Sequence, residues 1–239
     1  MSTPVWCADL AALFWAAAGP PPRFPRDLFG SIAVGFPVTV LNRSRLSVAG
    51  VIAWFADRGL SISLDEPDRL LRACLVATRG QGFVFLETDD SPAERRFSLA
   101  HEIAHFLRDY WAPREKATRR LGPALAKVLD GFRQATPQER IQAVLWSVSI
   151  RPFAHLLRRD ESGRPLTPSE SAAEAAADRL AFELLAPVAR LETISNRADL
   201  VVRLVEEFGL PSAPASRYAA LLVPDPIGPG RFISRILGS

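Results

Sequence analysis

The sequence predicts an α+β fold, mainly helical with a small N-terminal β-sheet, and three observations carry that reading. Two apolar runs, Ala73–Ala77 and Phe83–Glu87, flank Arg79-Gly80-Gln81-Gly82 and read as a β-hairpin. Three later segments begin with Ser or Thr, then Pro, with Glu three positions after the hydroxyl residue: Ser91-Pro92-Ala93-Glu94, Thr136-Pro137-Gln138-Glu139 and Thr167-Pro168-Ser169-Glu170. Each is a capping box at a helix start, the hydroxyl accepting from the third backbone N–H while the Glu reaches back to the cap. Everything after the hairpin reads as helical.

Taken in order, Trp6, Leu10, Leu13, Phe14 and Ala17 repeat at helical spacing until Gly19 and Pro20–Pro22 stop the run. Asp9 stands where a signal peptide would carry positive charge, so this stretch is expected to be a helix and not a leader. Ile32–Leu41 suggests a strand, Ser47–Arg58 an amphipathic helix closed by Gly59, and Leu60–Leu64 a short strand. The capping boxes open helices at about 92–110, 137–150 and 168–186. Pro152 should break or kink the second, and Pro187 ends the third. A helix pair at about 198–208 and 213–222 is parted by Gly209-Leu210-Pro211-Ser212, and residues 223–239 read as a loosely held tail. No internal repeat divides the chain, so residues 1–239 are expected to form one domain.

The whole-chain numbers agree with a globular protein: 48% apolar and 23% charged residues are neither disordered nor collagen-like. The net charge of +3 comes from arginines scattered along 239 residues without a basic run, which gives nucleic-acid binding no support. Cys7 and Cys74 lack metal-ligand spacing and read as buried free thiols in a reducing compartment, a disulfide being the alternative. No stretch reaches the roughly 18 uncharged apolar residues of a membrane span, and cytoplasmic localisation is expected.

Two of the chain's three histidines lie in His101-Glu102-Ile103-Ala104-His105, inside the first capped helix. A spacing of four sets both imidazoles on one face with Cβ atoms roughly 5–6 Å apart, close enough to reach one ion at about 2.0–2.1 Å. Phe97, Leu99, Ala100, Ile103, Ala104, Phe106 and Leu107 make the helix apolar on nearly every side, so it belongs in a core. Two imidazoles and a carboxylate there are costly without partners, and a cation supplies one for each. The bland alternative is a chance pattern with hydrogen-bonded or exposed histidines; the cap, the helix and the apolar wrapping together argue against it.

A catalytic zinc needs a third protein ligand. The metzincin extension fails, because Arg108 and Trp111 stand where Gly and His are required. Glu174 is the best candidate: it borders the apolar sector of Ala173, Ala177, Leu180 and Leu184, and Asp178 follows one turn on, able to accept the outer N–H of a liganding imidazole. Taken alone, the helix could instead be a surface element with an acidic edge paired to Arg179 or solvent. With zinc at His101, His105 and Glu174, Glu102 would serve as general base toward water attacking a peptide bond. Tyr110, His155 and Tyr218 are candidate transition-state stabilisers.

These residues resemble the ImmA/IrrE-type metallopeptidases. Arg95-Arg96-Phe97-Ser98-Leu99-Ala100-His101-Glu102-Ile103-Ala104-His105 is similar to that family's R-F-(S/T)-L-A-H-E-(L/I)-(G/A)-H segment. Glu174-Ala175-Ala176-Ala177-Asp178, with Leu180-Ala181 and Leu184-Leu185-Ala186-Pro187, is similar to its E-x-x-A-(D/N)-x-F-A-x-x-L-L-x-P block. The likeness spans roughly residues 45–222. It implies a zincin-like fold of the gluzincin type, zinc on His101, His105 and Glu174, Glu102 as base, and a helix-turn-helix transcriptional repressor as protein substrate. One departure stands out: 68 residues separate His105 from Glu174, so 112–166 reads as a helical insertion, a lid or docking element, with His155 on it as an exposed or partner-bound helix histidine.

Two other function classes compete with a zinc endopeptidase. A regulatory protein could keep the fold and sequester a repressor without cutting it, but that role needs no Glu102. A DNA-binding regulator could use the 198–222 pair as a helix-turn-helix, but its second helix offers Arg217 and little else to phosphates or bases, so direct nucleic-acid binding is not expected.

Overall fold

A mixed four-stranded sheet carries helices on both faces, and the hairpin supplies its two middle strands. This computed structural model describes residues 3–64, 66–130, 132–145, 153–158, 167–194 and 196–224. In chain order the strands are β1 (Val38–Arg43), β2 (Leu71–Thr78), β3 (Gln81–Glu87) and β4 (Phe153–Arg158). Across the sheet they run β1-β3-β2-β4, with β1 parallel to β3 and the other pairings antiparallel. Thr78 pairs with Gln81, leaving Arg79 and Gly80 as the turn, both at positive φ (50° and 78°). A two-residue hairpin turn of the primed type needs that conformation, and glycine at the second position adopts it without strain.

The helices are α1 (Val5–Ala18), α2 (Phe29–Gly35), α3 (Val48–Ala56), α4 (Pro92–His105), α5 (Ala112–Leu121), α6 (Ala124–Leu129), α7 (Pro137–Leu145), α8 (Pro168–Leu185), α9 (Arg197–Glu206) and α10 (Ser212–Leu222). A π-helical turn, Phe106–Trp111, joins α4 to α5 without a break. The capping boxes of α4 and α8 are both formed, and Thr136 and Glu139 exchange the same pair of bonds at the start of α7.

Alternation along β2 divides the core. Ala73, Leu75 and Ala77 face α4 and α8, whereas Cys74 and Val76 pack with Val51, Trp54 and Phe55 of α3. Leu71 joins the α3 side because the register with β4 shifts between Leu71 and Ala73. Ile103, Phe106 and Leu107 are completely buried. Each contributes roughly 1.5–3 kcal/mol, against about 1 kcal/mol for an N-cap; packing holds α4 in place and the cap decides where it begins.

Gly82 of β3 belongs to this arrangement. A Cβ there would lie 2.9 Å from the Phe106 ring and 3.1 Å from Val38. The bare backbone lets Phe106 seat on the sheet directly after His105.

Several expectations are corrected. Ile32–Leu41 divides into the end of α2 and the start of β1, since Phe36-Pro37 interrupts it. Residues 60–64 form no strand, although Leu60, Ile62 and Leu64 pack against the α3 cluster. In α1 the inward face is Cys7, Ala11, Phe14 and Ala18, while Trp6 and Leu13 are exposed. Small residues take that face because α8 lies close, with the Cys7 thiol 3.6 Å from the Arg179 carbonyl. The 112–166 segment is not wholly helical, because residues 153–158 are β4. The expectations for Pro152 and for residues 225–239 lie outside the described residues.

Candidate metal centre

The site forms where α4, α8 and β4 meet. On α4, His101, Glu102 and His105 are almost fully buried, with exposures of 2%, 0% and 2%. The side chain of Glu174 on α8 is one-third exposed. His101 Nε2 lies 3.2 Å from Glu174 Oε2, and His105 Nε2 lies 3.4 Å from Glu174 Oε1. Both are buried ring nitrogens without a hydrogen-bond partner among the described residues. Groups of this kind are rarely left so unless something else meets them.

His155 is the third imidazole, and it arrives by strand register. It pairs with Leu75, and cross-strand neighbours share a face of the sheet, so His155 points to the α4 side. Its Nε2 is 2.8 Å from Glu174 Oε1 and its Nδ1 is 2.9 Å from Glu102 Oε2. Its ring stacks on His105 with centroids 3.8 Å apart. One ligand atom from each of His101, His105, His155 and Glu174 lies within 4.8 Å of the others.

Carboxylates stand behind the imidazoles. Asp178 Oδ1 is 3.0 Å from His101 Nδ1, and Asp109 Oδ2 is 2.8 Å from His105 Nδ1. Arg108 holds Asp109 through Nε and Nη2, both at 2.7 Å, and its Nη1 donates to the Ala173 carbonyl at 2.6 Å, tying the π turn to α8. Arg217 of α10 donates to the other Asp178 oxygen at 3.2 Å.

Electrostatically the cluster attracts positive charge. Burial pulls His101 down, but Asp178 and Glu174 outweigh it and raise the imidazole to about 9. Burial likewise opposes charge on His155, yet Glu102 and Glu174 raise it to about 10. For Glu174, burial pushes upward and the surrounding imidazoles more than reverse it, holding the carboxyl far below its ordinary range. A divalent cation would supply the charge that these protons supply in its absence, and the donor set of imidazole nitrogens and one carboxylate oxygen suits zinc.

The tyrosine hydroxyls are engaged elsewhere. Tyr110 OH accepts from the Gly80 N–H at 2.7 Å, and Tyr218 OH donates to the Ala186 carbonyl at 3.1 Å while its ring stacks on Phe182. Of the three stabiliser candidates, His155 alone is drawn into the cluster, and as a strand residue rather than an exposed helical one. Asp109 escaped the sequence reading, although its position four residues after His105 is the signal that would have found it. The π turn that carries it is a device often met at functional sites.

Such a constellation is compatible with a bound metal ion. Residues 66–125 match the family Peptidase_M78, the IrrE N-terminal-like domain, from just before β2 through α5. That match supports the ImmA/IrrE family for this chain, a family of metallopeptidases, as the motifs of α4 and α8 imply. Glu174 and His155 lie beyond the matched residues. No curated protein and no solved structure matches the chain. Among the described residues no helix is long and apolar enough to cross a membrane.

Proposed function

We propose that this chain is a cytoplasmic zinc endopeptidase of zincin-like, gluzincin-type arrangement, with His101, His105 and Glu174 holding the ion and Glu102 acting as general base. The observation that carries this reading is the pair of buried, hydrogen-bond-free Nε2 atoms directed at the Glu174 carboxylate. A zinc ion held there supplies Lewis-acid activation of water and of a peptide carbonyl.

The chain's own groups do the rest. Asp178 and Asp109 accept from the Nδ1 atoms, which keeps the proton there and leaves Nε2 free to ligate. Glu102 sits beside His101 in sequence, and its Oε1 has no hydrogen-bond partner among the described residues. It takes a proton from the attacking water and delivers it to the leaving amine. Resemblance of the two motifs to repressor-cleaving peptidases supports a helix-turn-helix repressor as substrate.

A DNA-reading role for α9 and α10 has less support. Ala215, Tyr218 and Ala219 of α10 are buried, and Arg217, its one basic side chain, bonds Asp178. The test is metal content and cleavage of a candidate repressor by the wild type, Glu102→Gln and Glu174→Ala. We expect Glu102→Gln to keep zinc and lose cleavage, and Glu174→Ala to lose both. A Glu102→Gln variant that cuts as well as an active wild type, or a wild type without zinc, refutes the reading.

A further inference from the structure

We infer that His155 is a fourth protein ligand, so that with β4 in place the centre is a closed His-His-His-Glu site in which the water position is filled from within the chain. The inference rests on the metal-centre reading above and concerns the regulation of that site. Three observations carry it.

The first is symmetry of treatment. His101 and His105 each present Nε2 to the Glu174 carboxylate while Nδ1 meets a carboxylate behind the ring, Asp178 and Asp109 respectively. His155 does the same: Nε2 meets Glu174, and Nδ1 meets Glu102. A carboxylate behind an imidazole is the usual support of a metal-bound histidine.

The second is spacing. Four ligands held at about 2.0–2.1 Å in a tetrahedron lie roughly 3.3–3.4 Å apart. Glu174 Oε1 lies 2.8 Å from His155 Nε2 and 3.4 Å from His105 Nε2, while His101 Nε2 lies 3.2 Å from the other oxygen, Oε2. One ligand atom from each of the four residues falls within 4.8 Å of the others, so the set can close on one ion. The third is the fate of Glu102. Its Oε2 is committed to His155, so the carboxylate assigned to move protons instead orients a ligand. Closed structural zinc sites have four protein ligands, whereas catalytic ones leave a position for water.

Opening therefore has a defined form. Among the described residues β4 pairs with β2 alone, as an edge strand. Withdrawal of His155 with that strand vacates one coordination position and frees Glu102 in a single movement. The buried part of α4 that carries His101 and His105, Phe97–His105, need not shift.

The test uses the full-length zinc and cobalt(II) proteins. X-ray absorption at the zinc edge should count three imidazoles in the wild type and two in His155→Ala. Azide added to the cobalt(II) wild type should leave the visible bands unchanged, whereas His155→Ala should respond. Chelator competition should show that variant binding metal more weakly by at least the roughly 10–100-fold that losing an outer partner costs. Two imidazoles in the wild type together with an azide response overturn the inference, and the wild-type measurements decide it even if His155→Ala does not fold. His101→Ala separates the two readings: retention of full metal by that variant refutes the centre itself, whereas metal loss in His101→Ala with an azide-responsive wild type refutes only the closure.

Discussion

Asp178→Ala tests whether the carboxylate behind His101 serves metal binding or folding. The ring of His101 is buried, and Asp178 Oδ1 at 3.0 Å is the acceptor for its Nδ1. Without a metal the imidazole, which against burial Asp178 and Glu174 together raise to about 9, can in the variant give up the Nδ1 proton and keep the one on Nε2, facing Glu174, so the loss of Asp178 is tolerated. With a metal on Nε2 the proton must sit on Nδ1, where the variant leaves it unpaired. A buried unsatisfied donor costs about 1–3 kcal/mol, so the metal dissociation constant should rise by about 5–150-fold, a range that spans the roughly 10–100-fold usual for lost outer partners. Arg217→Ala removes the bond to the other oxygen of Asp178, but that side chain is half exposed. Its effect should stay under about 1 kcal/mol, or about fivefold. Competition against a chromophoric chelator measures both, with thermal unfolding of the metal-free proteins alongside. Unchanged affinity in Asp178→Ala, or an equal loss of metal-free stability, refutes the argument.

Three further outcomes are expected. Ser91→Ala removes the hydroxyl that caps α4 and should cost about 0.5–2 kcal/mol in urea unfolding; a near-zero change would mean that packing alone sets the helix start. Gly82→Ala forces a methyl to within 2.9 Å of the buried Phe106 ring and should cost about 1–3 kcal/mol, several degrees in Tm, with an unchanged Tm as the contrary result. Burial, helped by Glu183, pushes the Cys7 thiol up to about 12, and burial pushes Cys74 well above its ordinary value. The native protein should therefore react with a thiol reagent at pH 8 far more slowly than the unfolded chain, in which both thiols are exposed. Because the folded state holds those protons more tightly, stability should fall as pH rises above 9.0, the ordinary thiol value, toward about 12; rapid labelling of the native protein would contradict this.

What could be read in advance was what the chain encodes locally. The Ser91, Thr136 and Thr167 caps are signals within four residues, and the structure forms each of them. His101 with His105, and Glu174 with Asp178, each lie four apart on one helix, so proximity within each pair follows from helical geometry. Bringing the pairs together depends on packing α4 against α8, which only the fold displays. His155 was a candidate from the sequence, but its placement beside His105 and Glu174 was illegible for a physical reason. Its strand is short, its pairing partner Leu75 lies far upstream, and the position of its ring depends on a register fixed by tertiary contacts. The inward face of α1 was misjudged because large apolar residues were weighted over Cys7 and Ala11, although close helix approach favours small ones.

Arg108 bears on what happens when metal is removed and restored. Its guanidinium grips Asp109 on one side and the Ala173 carbonyl on the other, one residue before Glu174. The separation of the two helices at the ligands is thus set by a bond that does not pass through an ion. A chelator would strip a scaffold that keeps its dimensions, and reloading would be a binding event rather than a refolding one.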